Sequence, residues 1–357
     1  MYGTLSLTDL LSDYANQTVY QYNLDRMWDQ VDAYLAARNR LVQGTFDLLA
    51  DRTTERIWRD GGLADDFVFQ RLDEFAAPAP QKAAGSSFAS GAPLEKWGAG
   101  TQWTASYFDR KTVREFALQF DKIAQADVDR LFNELQRALF TPTNNTAYTD
   151  YWIDRLPYTV RRLLNADSTY IPNAPDGTAF TAATHTHYLA RVAALAASDI
   201  TATVDTVAEH FSAGQLRLHI NRAQESSVRG FTSNFKPLHS PMVEVRGTTD
   251  VVRGNLQLLS PNDREIGLWD DKALVSVKPW IPASYMFAYM EGAPKPLVMR
   301  VPETGLGGGN LFFEDEHRHH PLTAQFFGRY FGFGTRNRAN GAILYTGGTT
   351  YVSPTIA

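Results

Sequence analysis

FAAPAPQKAAGSSFASGAPLEKWGAG, residues Phe75 to Gly100, is the stretch on which the architecture of this chain turns. It is rich in Ala, Gly, Pro and Ser, and it lacks the apolar spacing of either a helix or a half-buried strand. Such a segment has no core of its own. An unstructured run longer than about 12 to 15 residues inside a compact chain is usually functional or disordered. The alternating WTASYF that follows, Trp103 to Phe108, reads as a returning strand, so the sequence predicts a long two-stranded arm reaching out and back.

Helical stripes lie on both sides of this excursion. Met27, Val31, Leu35, Leu41, Val42 and Phe46 recur mostly three or four apart, which predicts a long helix between Leu24 and Leu49. Val128, Leu131, Phe132, Leu135 and Leu139 predict a second, a spine helix from Asp121 to Phe140, broken by TPTNNT. A third begins at Ser198 with Ile200, Val204, Val207 and Phe211 on one face, and Gly214 suits the left-handed position past its end. The strand QLRLHIN, Gln215 to Asn221, then places Leu216, Leu218 and Ile220 on one face and Arg217 and His219 on the other. ALVSVKP, Ala273 to Pro279, and YMFAYM, Tyr285 to Met290, flank WIPAS and read as a paired hairpin. Gly305 to Gly309 reads as a flexible connection. In RYFGFGTRNRANGAILY, Arg329 to Tyr345, Phe331 and Phe333 alternate with glycine, so one strand face is bulky and the other lets a neighbouring backbone come close. No repeat of solenoid length is present, and the expected class is α+β with two lobes.

Composition narrows the function. The chain has 357 residues, beyond the roughly 250 to 300 at which one core stops growing, with 44% hydrophobic and 20% charged residues. It has no cysteine, which excludes disulfides, thiolate nucleophiles and cysteine-ligated metals. No apolar run reaches the length of a membrane span, and MYGTLSLTDL lacks the order of a signal peptide, so a cytosolic protein with no membrane partner is expected. Thirty-four basic residues against 39 acidic ones give a net charge of -5, and no basic cluster is dense enough to grip a phosphate backbone.

The polar clusters point away from chemistry. His185 and His187 would share a strand face, but the following YLARVAALAAS brings no carboxylate, so these histidines are expected to pack near a lobe boundary. EDEHRHHP, Glu314 to Pro321, gathers three carboxylates and three histidines; it reads as a loop whose alternating charges are solvated or face another subunit. GLGGGN lacks the Lys-Ser/Thr of a phosphate loop, Gly332 and Gly334 make no dinucleotide fingerprint, and no G-x-S-x-G elbow is present. No enzyme, cofactor or metal is expected.

In their order, the helical arm, the Gly/Ala-rich loop, PLEKWG (Pro93 to Gly98), the spine helix, DGTAFTAATHTHYL (Asp176 to Leu189), LRLHIN, EIGLWDDKALVSVKPWIPASYMFAYM (Glu265 to Met290), PLVMRVPE (Pro296 to Glu303) and GRYFGFGTRNRANGAILY (Gly328 to Tyr345) resemble the tailed-bacteriophage major capsid family, the Hong Kong 97-like shell fold, in its actinobacteriophage-type members. The resemblance covers most of the chain. It implies an N-terminal arm and helix over 1–60, an extended loop over 61–110, a peripheral domain over 111–150 with strands at 291–357, and an axial domain over 151–290. It further implies a non-enzymatic subunit of an icosahedral head that makes pentamers and hexamers with copies of itself. Its other implied partners are a scaffolding protein, a portal, a cement protein and, non-specifically, packaged double-stranded DNA. Because the chain enters the arm soon after Met1, the scaffold is expected to be a separate protein. Lys82 and Lys96 lie where the family's isopeptide crosslinks begin, and crosslinking is expected to be absent. Phe88, Leu94, Trp97 and Trp103 are expected to anchor the loop on a neighbouring subunit, and Ala76 to Lys96 to be dispensable for folding. An encapsulin-type compartment is the rival within the same fold, and a histidine-cluster metal enzyme is the rival outside it.

Overall fold

The computed structural model describes residues 6–60, 69–79, 88–192, 194–238, 263–319 and 321–356. Two short helices, α1 (Leu7–Leu10) and α2 (Val19–Tyr22), precede α3 (Leu24–Phe46). Strands β1 (Ala50–Thr53) and β2 (Ile57–Asp60) lead into the extended loop, and β3 (Phe88–Gly91) and β4 (Glu95–Thr104) lead out of it. WTASYF is divided between two elements, since β4 ends at Thr104 and α4 (Ala105–Arg110) begins at once. Its aromatics turn inward with the helix, and Trp103 stacks on Phe116 and Phe120.

The spine helix α5 (Val113–Phe140) begins eight residues before the apolar stripe predicts. Thr112 and Glu115 form a capping box there, each side chain bonded to the other's backbone N–H. At 28 residues it is roughly 40 Å long. Its first half, with Phe116 and Phe120, packs on α1 to α3 and Phe327, whereas Leu131, Phe132, Leu135 and Leu139 pack between the two large sheets. One helix therefore belongs to two cores. The start of the chain is tied to it by Asp121, whose carboxylate accepts from Leu7 N, Ser6 Oγ, Thr8 Oγ1 and the Tyr34 hydroxyl.

After α5 come β5 (Asn145–Thr149) and β6 (Pro157–Val160), which pair with each other, then β7 (Tyr188–Ala190) and α6 (Ala197–Ala208). Next are β8 (Gln215–Ile220), α7 (Glu225–Gly230), β9 (Phe235–Pro237), β10 (Arg264–Trp269), β11 (Ala273–Val277) and β12 (Tyr285–Glu291). Last come β13 (Leu297–Arg300), β14 (Phe312–His319), β15 (Leu322–Thr335) and β16 (Ala342–Tyr345).

One sheet has the order β1-β13-β15-β14, with β4 also paired to β15; the other has the order β7-β16-β12-β8-β11-β10-β9. Three expectations are corrected here. First, β11 and β12 are not a hairpin, because β8 lies between them, parallel to β11 and antiparallel to β12. The actual hairpin joins β10 to β11 through Asp270 and Asp271, both at positive φ as a tight two-residue turn requires. Second, the span 291–357 is shared between the sheets, since β16 pairs with β12 and β7 rather than with the neighbours of β15. Third, the EDEHRHH segment is not a loop but most of β14, paired with β15. The third helix also ends earlier than its stripe suggests, at Ala208, and Gly214 instead directly precedes β8, where an added Cβ would lie 2.6 Å from Met290 Cγ.

The glycine run is a built turn. Gly309 presents its carbonyl to Arg329, whose guanidinium also forks onto Asp127 of α5 at 2.6 and 2.8 Å and reaches Asn39 of α3.

Candidate assembly surface

The excursion between β2 and α4 has two parts of opposite character. Its base is built into the subunit: β2 pairs with β3, and β4 runs along β15 for ten residues, from Leu322↔Thr104 to Phe331↔Glu95. Between β3 and β4 the backbone crosses the glycine face of β15. A Cβ placed on Gly332 would lie 2.2 Å from the Pro93 carbonyl oxygen, and one on Gly334 would lie 2.8 Å from Ala92 Cα. The alternation of glycine with Phe331 and Phe333 thus does what its pattern predicts: the phenylalanines enter the core and the glycines admit a backbone.

A buried polar knot fixes the same crossing. Arg300 of β13 binds Asp150 Oδ2 at 2.7 Å, the Tyr158 hydroxyl at 3.0 Å and the Ala92 carbonyl at 3.2 Å, and both charged side chains are buried. Asp150 also carries the loop Tyr151 to Leu156, where the Arg155 N–H donates to its carbonyl and Arg56 forks onto Asp154 at 2.6 and 2.7 Å. That loop exposes Tyr151, Trp152, Ile153 and Leu156 together, an apolar surface of the kind that marks an interaction site.

The outer part of the excursion is described over residues 69–79. Asp73 turns the chain, with its carboxylate accepting from Phe75 N, and Gln70 accepts from Ala79 N. Phe75 is 94% exposed and Phe69 fully so, with Leu72 exposed between them. Among the described residues of this outer part, these are the exposed large apolar side chains.

Of the four anchors expected from sequence, two are interior and two are half-buried. Leu94 and Trp103 are 5% and 2% exposed, so their packing inside this chain removes them from any neighbour. Phe88 and Trp97 are half-buried beneath cations: Arg161 and Arg338 lie over Phe88, and Arg130 lies 3.4 Å from the Trp97 ring centre. Large aromatics in a glycine-rich stretch were read as interface groups, but β-strand pairing had given them an internal surface. The expectation that Ala76 to Lys96 is dispensable for folding is corrected for the same reason, because Ser90, Ala92 and Leu94 are interior. Phe69 and Leu72 precede the Gly/Ala-rich stretch. Their signal was two large apolar residues in a segment without helical or strand spacing.

Of the two lysines considered for crosslinking, Lys82 lies outside the described residues. Lys96 forms an ion pair with Glu314 and lies over the Tyr330 ring, and the hydrogen bond to Glu314 raises its pKa. The β14 cluster is dispersed by strand alternation: Glu314 turns to Lys96, whereas Asp315 pairs with the exposed His317 at 3.0 Å. His320 lies outside the described residues. His185 and His187 do converge, and they do so with Glu209 and His210 from the end of α6. Among the described residues no helix is long and apolar enough to cross a membrane.

No family model matches the sequence, and no curated protein does. Among solved structures, one titled Mycobacterium phage Patience is similar at a TM-score of 0.68 and 20% identity, covering 93% of this chain and 90% of that one. The capsid of a native GTA particle is similar at 0.46 and 11%, with 85% and 90% covered. An encapsulin complex from Synechococcus elongatus is similar at 0.42 and 12%, with 88% and 90% covered. The first of these likenesses covers 93% of this chain, and this chain has the α+β, Hong Kong 97-like capsid fold.

Proposed function

We propose that this chain is a major capsid protein whose copies join as pentamers and hexamers into an icosahedral head around double-stranded DNA. The observation that carries the reading is the outer loop, where Phe69 and Phe75 stand almost wholly in solvent with Leu72 exposed between them. Fully burying a phenylalanine contributes about 1.5 to 3 kcal/mol, and a second copy is the partner that offers this gain to every subunit at once. The exposed Tyr151–Leu156 loop supplies a further apolar surface for such contacts.

On this reading the two sheets are the working parts of a peripheral and an axial domain, with β16 assigned to the axial side. A scaffolding protein, a portal and a cement protein complete the head, which is assembled in the host cytoplasm. Contact with DNA is non-specific, in keeping with a net charge of -5. On this reading the head is held without covalent crosslinks; Lys96 is engaged in an ion pair with Glu314, and Lys82 lies outside the described residues.

The test is electron microscopy of particles from infected or expressing cells, combined with analysis of their contents. Closed shells holding nuclease-protected DNA, which run as one band of about 40 kDa after boiling in detergent, are the expected result. Shells that hold a protein cargo and no DNA would place the chain with cellular compartments, and a detergent-resistant ladder would overturn the crosslinking statement.

A further inference from the structure

We infer that His185, His187, His210 and Glu209 form a binding site for one zinc ion per chain. This goes beyond shell assembly and does not depend on it.

The three imidazoles meet through the same atom. His185 Nε2 lies 3.0 Å from His187 Nε2 and 3.0 Å from His210 Nε2, and the last two are 3.1 Å apart. The nitrogens thus make a nearly equilateral triangle. An ion about 1 Å above its plane sits at the roughly 2.0 to 2.1 Å of a zinc–imidazole bond. Glu209 Oε1 lies 3.6 Å from His185 Nε2 and 3.9 Å from His210 Nε2, near the ligand-to-ligand spacing of a tetrahedral site.

Hydrogen bonding alone leaves this arrangement unsatisfied. His187 is fully buried, and its Nδ1 is 2.6 Å from the Gly341 carbonyl, to which only an N–H can donate. Its Nε2 is then a bare lone pair in the neutral ring, aimed at the other two nitrogens. One proton shared among three converging nitrogens serves a single pair and leaves the third facing a lone pair or a competing N–H. A cation satisfies all three at once. The Nδ1–carbonyl bond is also the outer-shell contact that orients a metal-ligating imidazole and fixes its tautomer.

The surroundings favour a zinc-type ion. Three nitrogens and one carboxylate oxygen are a ligand set that suits Zn²⁺, whereas Mg²⁺ and Ca²⁺ require mostly oxygen ligands. Phe180 lies against both His185 and His210, at 4.7 and 4.4 Å between ring centres, and shields one side. Glu209, 41% exposed at its side chain, is on the side through which an ion enters. The ion would join the segment before β7, a three-residue strand at the edge of its sheet, to the C-terminal end of α6. Sequence spacing hid the site because its second half lies more than twenty residues downstream, beyond a complete helix.

The full chain, stripped with a chelator, is titrated with Zn²⁺ against a chromophoric competitor, and separately with Co²⁺. The expected result is one Zn²⁺ per chain, the strong visible absorption of tetrahedral Co²⁺, and a melting temperature that rises with zinc concentration. His185→Ala, which is the most exposed of the three imidazoles and is judged folded by circular dichroism, should weaken binding by about 100-fold or more, beyond the usual loss from an outer-shell change. Glu209→Gln should weaken it by about tenfold or more. The triple change His317→Ala, His319→Ala and His320→Ala should leave it unaltered. A folded wild-type chain that takes up no zinc at micromolar concentration overturns the inference. So does uptake that survives His185→Ala or is lost with the β14 histidines.

Discussion

The inner and outer parts of the excursion between β2 and α4 are opposite in state. Ala92 to Thr104 is strand and crossing backbone, pinned by Arg300 and seated on Gly332 and Gly334, whereas Phe69 to Ala79 stands in solvent with its phenylalanines uncovered. Low apolar content therefore does not mean that a segment lacks a place in the core. Small residues can be placed there by backbone pairing and by partners of complementary size, neither of which is local to the segment.

The contrast can be broken from the inner side. Asp150→Ala should cost about 3 to 5 kcal/mol in urea unfolding, because it leaves Arg300 charged and buried without its partner. A loss below about 1 kcal/mol would mean that the knot does not hold the crossing. Gly332→Ala should cost about 1 to 3 kcal/mol by the same measurement, since its Cβ would meet a backbone carbonyl that cannot swing aside.

A smaller effect, confined to acid, sharpens the comparison at the root of β3. Asp167 forks toward Arg338, which lies over Phe88, and the Asp167 carboxyl is partly buried. Burial raises its pKa, but the hydrogen bonds from Arg338, Thr169 and Asn144 outweigh this and hold it well below the ordinary 3.8. Its contribution is thus complete above pH 3.8 and is lost as pH falls through the lower folded-state value. Asp167→Asn should lower stability at pH 7 and flatten the acid side of the stability curve; an unchanged acid limb would refute this.

Much of this architecture was legible in the sequence because apolar period is a local signal. The stripes of α3, α5 and α6, the strand β8 and the paired faces of β15 follow from side chains a few residues apart. What could not be read was pairing between distant strands. β8 entered between β11 and β12 from fifty residues upstream, and β16 crossed to the other sheet. The buried state of Leu94 and Trp103, and the meeting of His185 with His210, are consequences of such long-range placement.

The smallest expected change in stability accompanies the largest change in behaviour. Phe69→Ser with Phe75→Ser should alter unfolding by no more than about 0.5 kcal/mol, as is usual for exposed positions. Sedimentation velocity of the wild-type chain and this double variant, each with and without a scaffolding protein, tests the central claim most directly. The wild-type chain should form pentamers, hexamers or shells, and the folded variant should sediment as smaller species. A wild-type chain that remains a monomer under every condition, or a variant that assembles as the wild type does, would contradict it.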